Sequence, residues 1–364
     1  MPIPAVVVRS ARQLWHCQWL QLMRGLGPAD RQGHYRRPQP AVAEPPPAPA
    51  VASAGDTVLI VGRSCPWAHR AWLAWTLRGL APAIELLVVE PDPQAGRWRF
   101  STPFEGCTTL AQLYRLGGCD PHARATVPLL WSRCARQVLV SESARLIELL
   151  DLWPAPAPGS DPASAPASEA GPITTSLTAA GQPVAAPGTV PPGALCPPQH
   201  HEAIQAWRQR LQHTLNDGVY RCGLARSQTA YDTAEAELFA TVSALEEALG
   251  RQRLAGSPWL CGGEMPSLAD VCLFPTLIRW EMVYAPLFGC SRQPLWQFPE
   301  LWRWRARFYQ LPGVAATCLP EAWRRDYFGA LFPLHPSGII PAGPDLATLV
   351  LSSPPLGADD QQQL

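Results

Sequence analysis

Lysine is absent from the chain: all 29 basic residues are arginine, set against 29 acidic residues, so the formal charge is +0 and the pI about 7.1. That balance gives no electrostatic case for nucleic acid or an anionic membrane surface as partner. The arginine bias, with abundant alanine, proline and tryptophan, reads as GC-rich coding rather than chemical demand. Cys-x-x-Cys spacing is also missing, although 11 cysteines are scattered singly from Cys17 to Cys318. The spacing excludes a zinc ribbon and a dithiol redox site, and the odd count excludes a complete disulfide framework. Scattered thiols fit a reducing compartment, so a cytoplasmic location is expected. Cys196, His200, His201 and Glu202 lie together without metal-ligand spacing, and no metal is expected there. No apolar run approaches a transmembrane span. Residues Met1 to Met23 mix Val6-Val7-Val8 with Arg9, Arg12 and tryptophans, which gives neither the core nor the cleavage site of a signal peptide. An amphipathic helix is expected there instead.

What is present centres on Arg63-Ser64-Cys65-Pro66-Trp67-Ala68-His69-Arg70. The apolar run Thr57 to Val61 before it reads as a buried strand, and Trp67 to Gly79 after it has helical periodicity. A cysteine between strand and helix meets unpaired N–H groups and the positive end of the helix dipole, which lowers a thiol pKa. Pro66 suits the first helical position, and Arg63 and Arg70 are expected to favour the thiolate further. The alternative is an inert buried cysteine. Ala68 stands where a resolving cysteine would be, so an outside thiol must release Cys65: a monothiol, glutathione-dependent site.

The order of elements follows from local pattern. Residues 1 to 54 read as an extension, with a helix around Ala11 to Met23, the segment Gly33-His34-Tyr35-Arg36-Arg37-Pro38, and a Pro/Ala stretch that cannot pack. Strand Thr57 to Val61, helix Pro66 to Leu80, strand Ile84 to Val89, an irregular region around Trp98, helix Leu110 to Leu116, strands Val127 to Trp131 and Val138 to Val140, and a helix through Leu150 capped by Ser141 make the order of a thioredoxin-like α/β domain over 55–152. A Pro/Ala/Gly-rich linker is expected over 153–198, an all-α domain over 199–330, and a tail over 331–364. Ser267-Leu268-Ala269-Asp270 has capping-box spacing.

Cys65-Pro66-Trp67-Ala68-His69-Arg70 resembles the active-site signature of the xi-class glutathione transferases, the glutathionyl-hydroquinone reductases. Gly96 to Phe100, Asn216-Asp217-Gly218-Val219-Tyr220-Arg221, Thr276 to Trp280, Val283-Tyr284, Tyr309 to Val314 and His335 to Pro341 follow in family order, with Tyr327 at a second substrate-facing position. The resemblance implies an all-α glutathione-transferase C-terminal domain, with glutathione as co-substrate. It implies a cis Pro128 whose neighbour Val127 offers its backbone to the tripeptide, and Trp98, Glu142 and Ser143 as further glutathione contacts, Glu142-Ser143 holding the γ-glutamyl end. Cys65, Tyr220 and Tyr327 would be catalytic, and Tyr220, Tyr284 and Tyr327 would hold the aromatic part of a glutathionylated small molecule. A homodimer is the assembly it allows. The implied reaction is deglutathionylation through a cysteine-glutathione disulfide; general thioltransferase or dehydroascorbate reduction, and a non-catalytic binding module, are the alternatives. Two stretches depart from the family pattern, Asp270 to Pro275, where an arginine is lost and Pro275 enters a helix, and Leu287 to Ser291, where a histidine and a lysine are lost.

Overall fold

The computed structural model describes residues 3–49, 55–92, 96–154, 190–331 and 333–351. Strand β1 (Thr57–Gly62) is buried along its whole length, as a near-continuous apolar run should be at the centre of a sheet. It pairs in parallel with β2 (Glu85–Asp92) and antiparallel with β5 (Leu129–Ser132), which pairs with β6 (Gln137–Val140). The irregular region expected around Trp98 is instead two strands, β3 (Arg97–Phe104) and β4 (Cys107–Thr109), which extend the sheet to the order β4-β3-β2-β1-β5-β6. Helices α2 (Pro66–Leu77), α3 (Leu110–Leu116) and α4 (Ser143–Leu152) complete this thioredoxin-like half. The N-cap of α4 is Glu142 rather than Ser141, and its carboxylate accepts from the Ala144 N–H at 3.2 Å.

The second half is all helical. It comprises α5 (His201–Leu211), a π turn over Gln212–Asn216, α6 (Gly218–Gly223), α7 (Gln228–Leu254), α8 (Leu268–Leu277), a second π turn over Trp280–Tyr284, α9 (Ala285–Phe288), α10 (Pro299–Tyr309), α11 (Pro320–Ala330) and the short α12 (Leu346–Leu349). The start of α8 is fixed by the expected capping box: the buried Asp270 carboxylate accepts from Ser267 Oγ at 2.7 Å, from the Leu260 N–H at 3.0 Å and from Trp304 Nε1 at 2.8 Å. All ten residues of α8 are buried, so it forms the core around which the other helices pack. By length and composition the stretch Leu268–Phe288 is apolar enough to cross a membrane, contrary to the sequence expectation; here most of it is buried inside the helical half.

Three segments are better integrated than composition implied. The expected N-terminal helix is longer, α1 (Ala5–Leu26), and the irregular stretch after it is held at both ends, as described below. Most of the expected linker falls on 155–189, outside the described residues, but its last part docks. Arg78, buried at the end of α2, donates to the carbonyls of Leu150, Asp151 and Trp153 that end α4 and to Val190. Asp151 in turn accepts from the Leu195 N–H at 3.0 Å, and Leu195 is fully buried. The tail also folds back, with Ala342 accepting from Arg324 at 2.7 Å and Leu351 from Trp302 at 2.9 Å.

Candidate active site

Cys65 is the N-cap of α2, in extended conformation, with Pro66 in the first turn. Its S–H donates to the Val127 carbonyl at 3.7 Å, and the Val127-Pro128 bond is cis as expected. Burial pushes the Cys65 thiol up; the Ala68 and Trp67 N–H groups and the guanidiniums of Arg37 and Arg279 pull it down without cancelling the effect. The lowering expected from the helix N-terminus is thus outweighed by burial in the free protein, where the sulfur faces a carbonyl. The dipole argument identified real donors, but desolvation is a tertiary property that it omits. Arg63 and Arg70 also serve other ends. Arg63 forks onto the Asp326 carboxylate at 2.9 and 3.0 Å and reaches Glu90 at 2.7 Å, so it ties α11 to the cysteine turn. Arg70 bonds Gln212 at 3.0 Å and rests 4.4 Å from the Trp67 ring centroid.

Behind the cysteine, His69 joins the two halves. Arg279 Nη1 lies 2.9 Å from His69 Nδ1, and an arginine only donates, so Nδ1 accepts and Nε2 carries the proton. That proton faces Thr317 Oγ1 at 2.7 Å, and Thr317 donates onward to the Val314 carbonyl at 2.7 Å. Burial, then the Arg279 charge, hold the imidazole well below its ordinary range.

Two cavities meet at Cys65. One, of about 170 Å³, is lined by Trp98, Val127, Pro128, Glu142 and Ser143, five positions expected at one site, together with Arg37 and Arg124. Gly62 makes room for its wall: a Cβ there would lie 2.6 Å from Trp98 Cη2 and 2.7 Å from Val127 Cγ2. The other, of about 310 Å³, is lined by Tyr220, Tyr327, Phe288, Leu224 and Asp326. Cys65, Trp67, Trp98, Tyr35 and Arg124 line both.

The Tyr220 and Tyr327 hydroxyls are 2.6 Å apart, and Tyr284 approaches Tyr327 at 3.4 Å. Phe288 packs on all three rings, with centroids 5.3 to 6.0 Å away. It fits because residue 223 is glycine, whose added Cβ would lie 2.3 Å from Phe288 Cγ. Burial, reinforced by the neighbouring tyrosines, raises the Tyr220 and Tyr327 phenols well above their ordinary range, so both are neutral donors. Tyr284 departs from expectation: it is fully buried and is not part of the cavity lining, since the π turn over 280–284 directs it behind Tyr327.

Sequence reasoning missed Tyr35, Arg37, Arg124 and Phe288. The segment Tyr35-Arg36-Arg37-Pro38 was visible as an aromatic and basic interruption before the Pro/Ala stretch, and Phe288 lies within the noted departure at Leu287 to Ser291. The four residues Cys196, His200, His201 and Glu202 do not converge: Cys196 Sγ lies 3.5 Å from His201 Nδ1, and among the described residues no group of three or more potential ligands could hold a metal.

Residues 202–307 match the family described as glutathione S-transferase, C-terminal domain. The chain is 32% identical over 294 residues to glutathionyl-hydroquinone reductase YqjG of Escherichia coli, covering 79% of this chain and 78% of that one. It is 29% identical to glutathionyl-hydroquinone reductase PcpF of Sphingobium chlorophenolicum, covering 79% and 82%. The glutathione-bound structure of the Escherichia coli protein superposes with a TM-score of 0.64 at 30% identity, covering 81% of this chain and 87% of that one. The xi-class enzyme of Phanerochaete chrysosporium, at 24% identity, shares the fold with a TM-score of 0.71, covering 89% and 96%. With a cysteine at the N-terminus of α2, a cis proline beside it and a tyrosine-lined second cavity, the chain belongs to the glutathionyl-hydroquinone reductases, the xi class of glutathione transferases.

Proposed function

We propose that the protein reduces glutathionyl-hydroquinones, using Cys65 as nucleophile and glutathione as reductant. The observation that carries this reading is the position of the sulfur at the junction of a polar cavity and an aromatic one. The polar cavity fits glutathione. Glu142, at the N-terminus of α4, matches the γ-glutamyl ammonium while the N–H groups there match its carboxylate. The Val127 backbone matches the tripeptide amide, and Trp98 forms a wall. Tyr220 and Tyr327 hold the quinol.

In the first step the Cys65 proton is lost and the thiolate attacks the sulfur of the carbon-sulfur bond of the substrate, in its keto form. An S–S bond forms, the C–S bond breaks, and its electron pair passes to the organic fragment as an enolate that takes up a proton to give the hydroquinone. Neutral Tyr220 and Tyr327 hydroxyls donate to the oxygen on which negative charge grows. In the second step the thiolate of a second glutathione attacks the mixed disulfide, giving glutathione disulfide and free Cys65. Ala68, in place of a resolving cysteine, leaves this step to glutathione. All 11 cysteines are free thiols, which supports a reducing, cytoplasmic setting. The test is a panel of glutathionylated hydroquinones, dehydroascorbate and a small glutathione mixed disulfide, offered to the wild type and to Cys65→Ser. Selective turnover of the first class, abolished in the variant, is expected; equal turnover of all three would favour a general thioltransferase.

A further inference from the structure

The stretch between α1 and β1 is a strap fastened at two distant points. At its start Asp30 Oδ1 accepts from the N–H groups of Gln32 and His34 at 3.0 Å each, and Ala29 and Tyr35 form an antiparallel bridge. The turn between them presses on the beginning of α7. Gly33 accepts from the Arg226 N–H at 3.0 Å, and Gln32 accepts from Ser227 Oγ at 2.7 Å. Gly33 has φ +92°, and a Cβ there would lie 3.0 Å from the Ser227 nitrogen, so the close approach needs glycine. Further on, Val42 exchanges hydrogen bonds with the Ser141 hydroxyl at 3.1 Å each, directly before the N-cap of α4. Between these anchors Tyr35, Arg37 and Pro38 to Pro40 line the polar cavity.

Arg37 is pre-set within it. Its guanidinium lies 3.4 Å from the Trp67 ring centroid, and Nη1 donates to Asp217 at 3.2 Å, whose second oxygen accepts from Gln212 at 3.1 Å. One of its five N–H donors is thereby used. The charged residues lining the cavity are two guanidiniums, Arg37 and Arg124, and one carboxylate, Glu142. Glutathione carries the complement: two carboxylates and one ammonium. Arg124 lies three residues before Val127, whereas the strap carrying Arg37 is fastened at Ser141, beside Glu142.

We propose that Arg37 is a glutathione-binding residue, supplied by the N-terminal strap, that takes the α-carboxylate of the γ-glutamyl end. The proposal rests on the reading above that α4 receives that end of the tripeptide. Because Arg37 also acts on the Cys65 thiol, loss of its charge raises the pH at which Cys65 is alkylated.

The test is equilibrium binding under reducing conditions, read by tryptophan fluorescence, since Trp67 and Trp98 flank the cavity. It needs no turnover, so failure of hydroquinone reduction and failure of this assignment are separate results. Wild type and Arg37→Gln are compared with three probes: glutathione, its glycyl ethyl ester, and 4-aminobutanoyl-cysteinyl-glycine, which lacks the α-carboxylate. A lost charge-assisted bond weakens glutathione and the ester by about 10- to 100-fold in the variant, while the third probe binds both proteins equally. Equal weakening of all three would mean that Arg37 only holds the strap. Loss of the difference with the ester instead would assign Arg37 to the glycyl end. Either result, or unchanged binding of glutathione, overturns the proposal.

Discussion

Replacing Tyr327 by phenylalanine keeps a ring in the second cavity and removes the hydroxyl at the centre of the tyrosine cluster. That hydroxyl is 2.6 Å from Tyr220 and 3.4 Å from Tyr284, so its loss touches both neighbours, but unequally. Tyr220 lines the cavity, where water or substrate can replace the lost partner. Tyr284 is fully buried, and its hydroxyl loses the bond to Tyr327 and keeps only Tyr220 beside it. An unsatisfied buried hydroxyl costs about 1 to 3 kcal/mol, which for a domain of this size lowers the melting temperature by roughly 2 to 10 °C. Tyr220→Phe leaves the Tyr327 to Tyr284 contact in place and should cost less. Adding Tyr284→Phe to Tyr327→Phe removes the orphaned hydroxyl and should recover part of the loss. In catalysis the order changes. Tyr220→Phe and Tyr327→Phe each lower turnover of a glutathionyl-hydroquinone by about 10- to 100-fold, the value of a hydrogen bond to developing charge, while reduction of a small glutathione mixed disulfide at Cys65 holds. Scanning fluorimetry and the two turnover assays read both effects. A double variant less stable than Tyr327→Phe would refute the stability argument. Equal loss on both substrates would refute quinol recognition by these tyrosines.

The His69 imidazole is held well below its ordinary range in the fold, so the unfolded chain binds a proton that the folded chain does not. Stability should therefore be full above the unfolded value of about 6.5 and fall below it by up to ~1.4 kcal/mol per pH unit. His69→Gln, which can still accept from Arg279 and donate to Thr317, should flatten that part of a melting profile between pH 7.5 and 5; an unchanged slope would assign the acid sensitivity elsewhere. Replacing 155–189 by a short Gly/Ser linker should leave melting and turnover unchanged, because its Pro/Ala/Gly-rich composition offers little apolar surface to bury. Extending the replacement through Pro198 removes buried Leu195 and the Asp151 and Arg78 partners, and should lower the melting temperature by several degrees. Identical melting of the two deletions would show that residues 190–198 add nothing. In the free protein, iodoacetamide should label Cys65 with a midpoint above that of an ordinary thiol, since burial raises its pKa; a midpoint near neutrality would mean that the helix N-terminus prevails.

The parts of the site legible in the sequence are those whose geometry is local. A strand, a cysteine, a proline and a helix in succession place the sulfur at an N-terminus whatever surrounds them, and Val127-Pro128 and Glu142-Ser143 stand at the mouths of their own elements. Strand β3 was missed because Pro103 interrupts the polar run Arg97 to Phe104, and pairing with β2 on one side, three rungs from Glu90 to Asp92, and with β4 on the other makes it a strand. Arg37 was missed for a similar reason: its place depends on Ser141, Arg226 and Ser227, 100 to 190 residues away, roughly, and no window of sequence contains them. The direction of the Cys65 shift could not be read either, because dipole and charge are local but the burial that outweighs them is a property of the tertiary structure.

The central claim is that a disulfide between Cys65 and glutathione lies on the reaction path, and it can be trapped directly. Wild-type protein is mixed with one equivalent of glutathionyl-hydroquinone in the absence of free glutathione, quenched in acid, and digested for mass spectrometry. The account predicts free hydroquinone in step with one glutathionyl group, reducible by added glutathione, on the peptide carrying Cys65. Hydroquinone released with Cys65 unmodified, or with the adduct on any of the other ten cysteines, would contradict it.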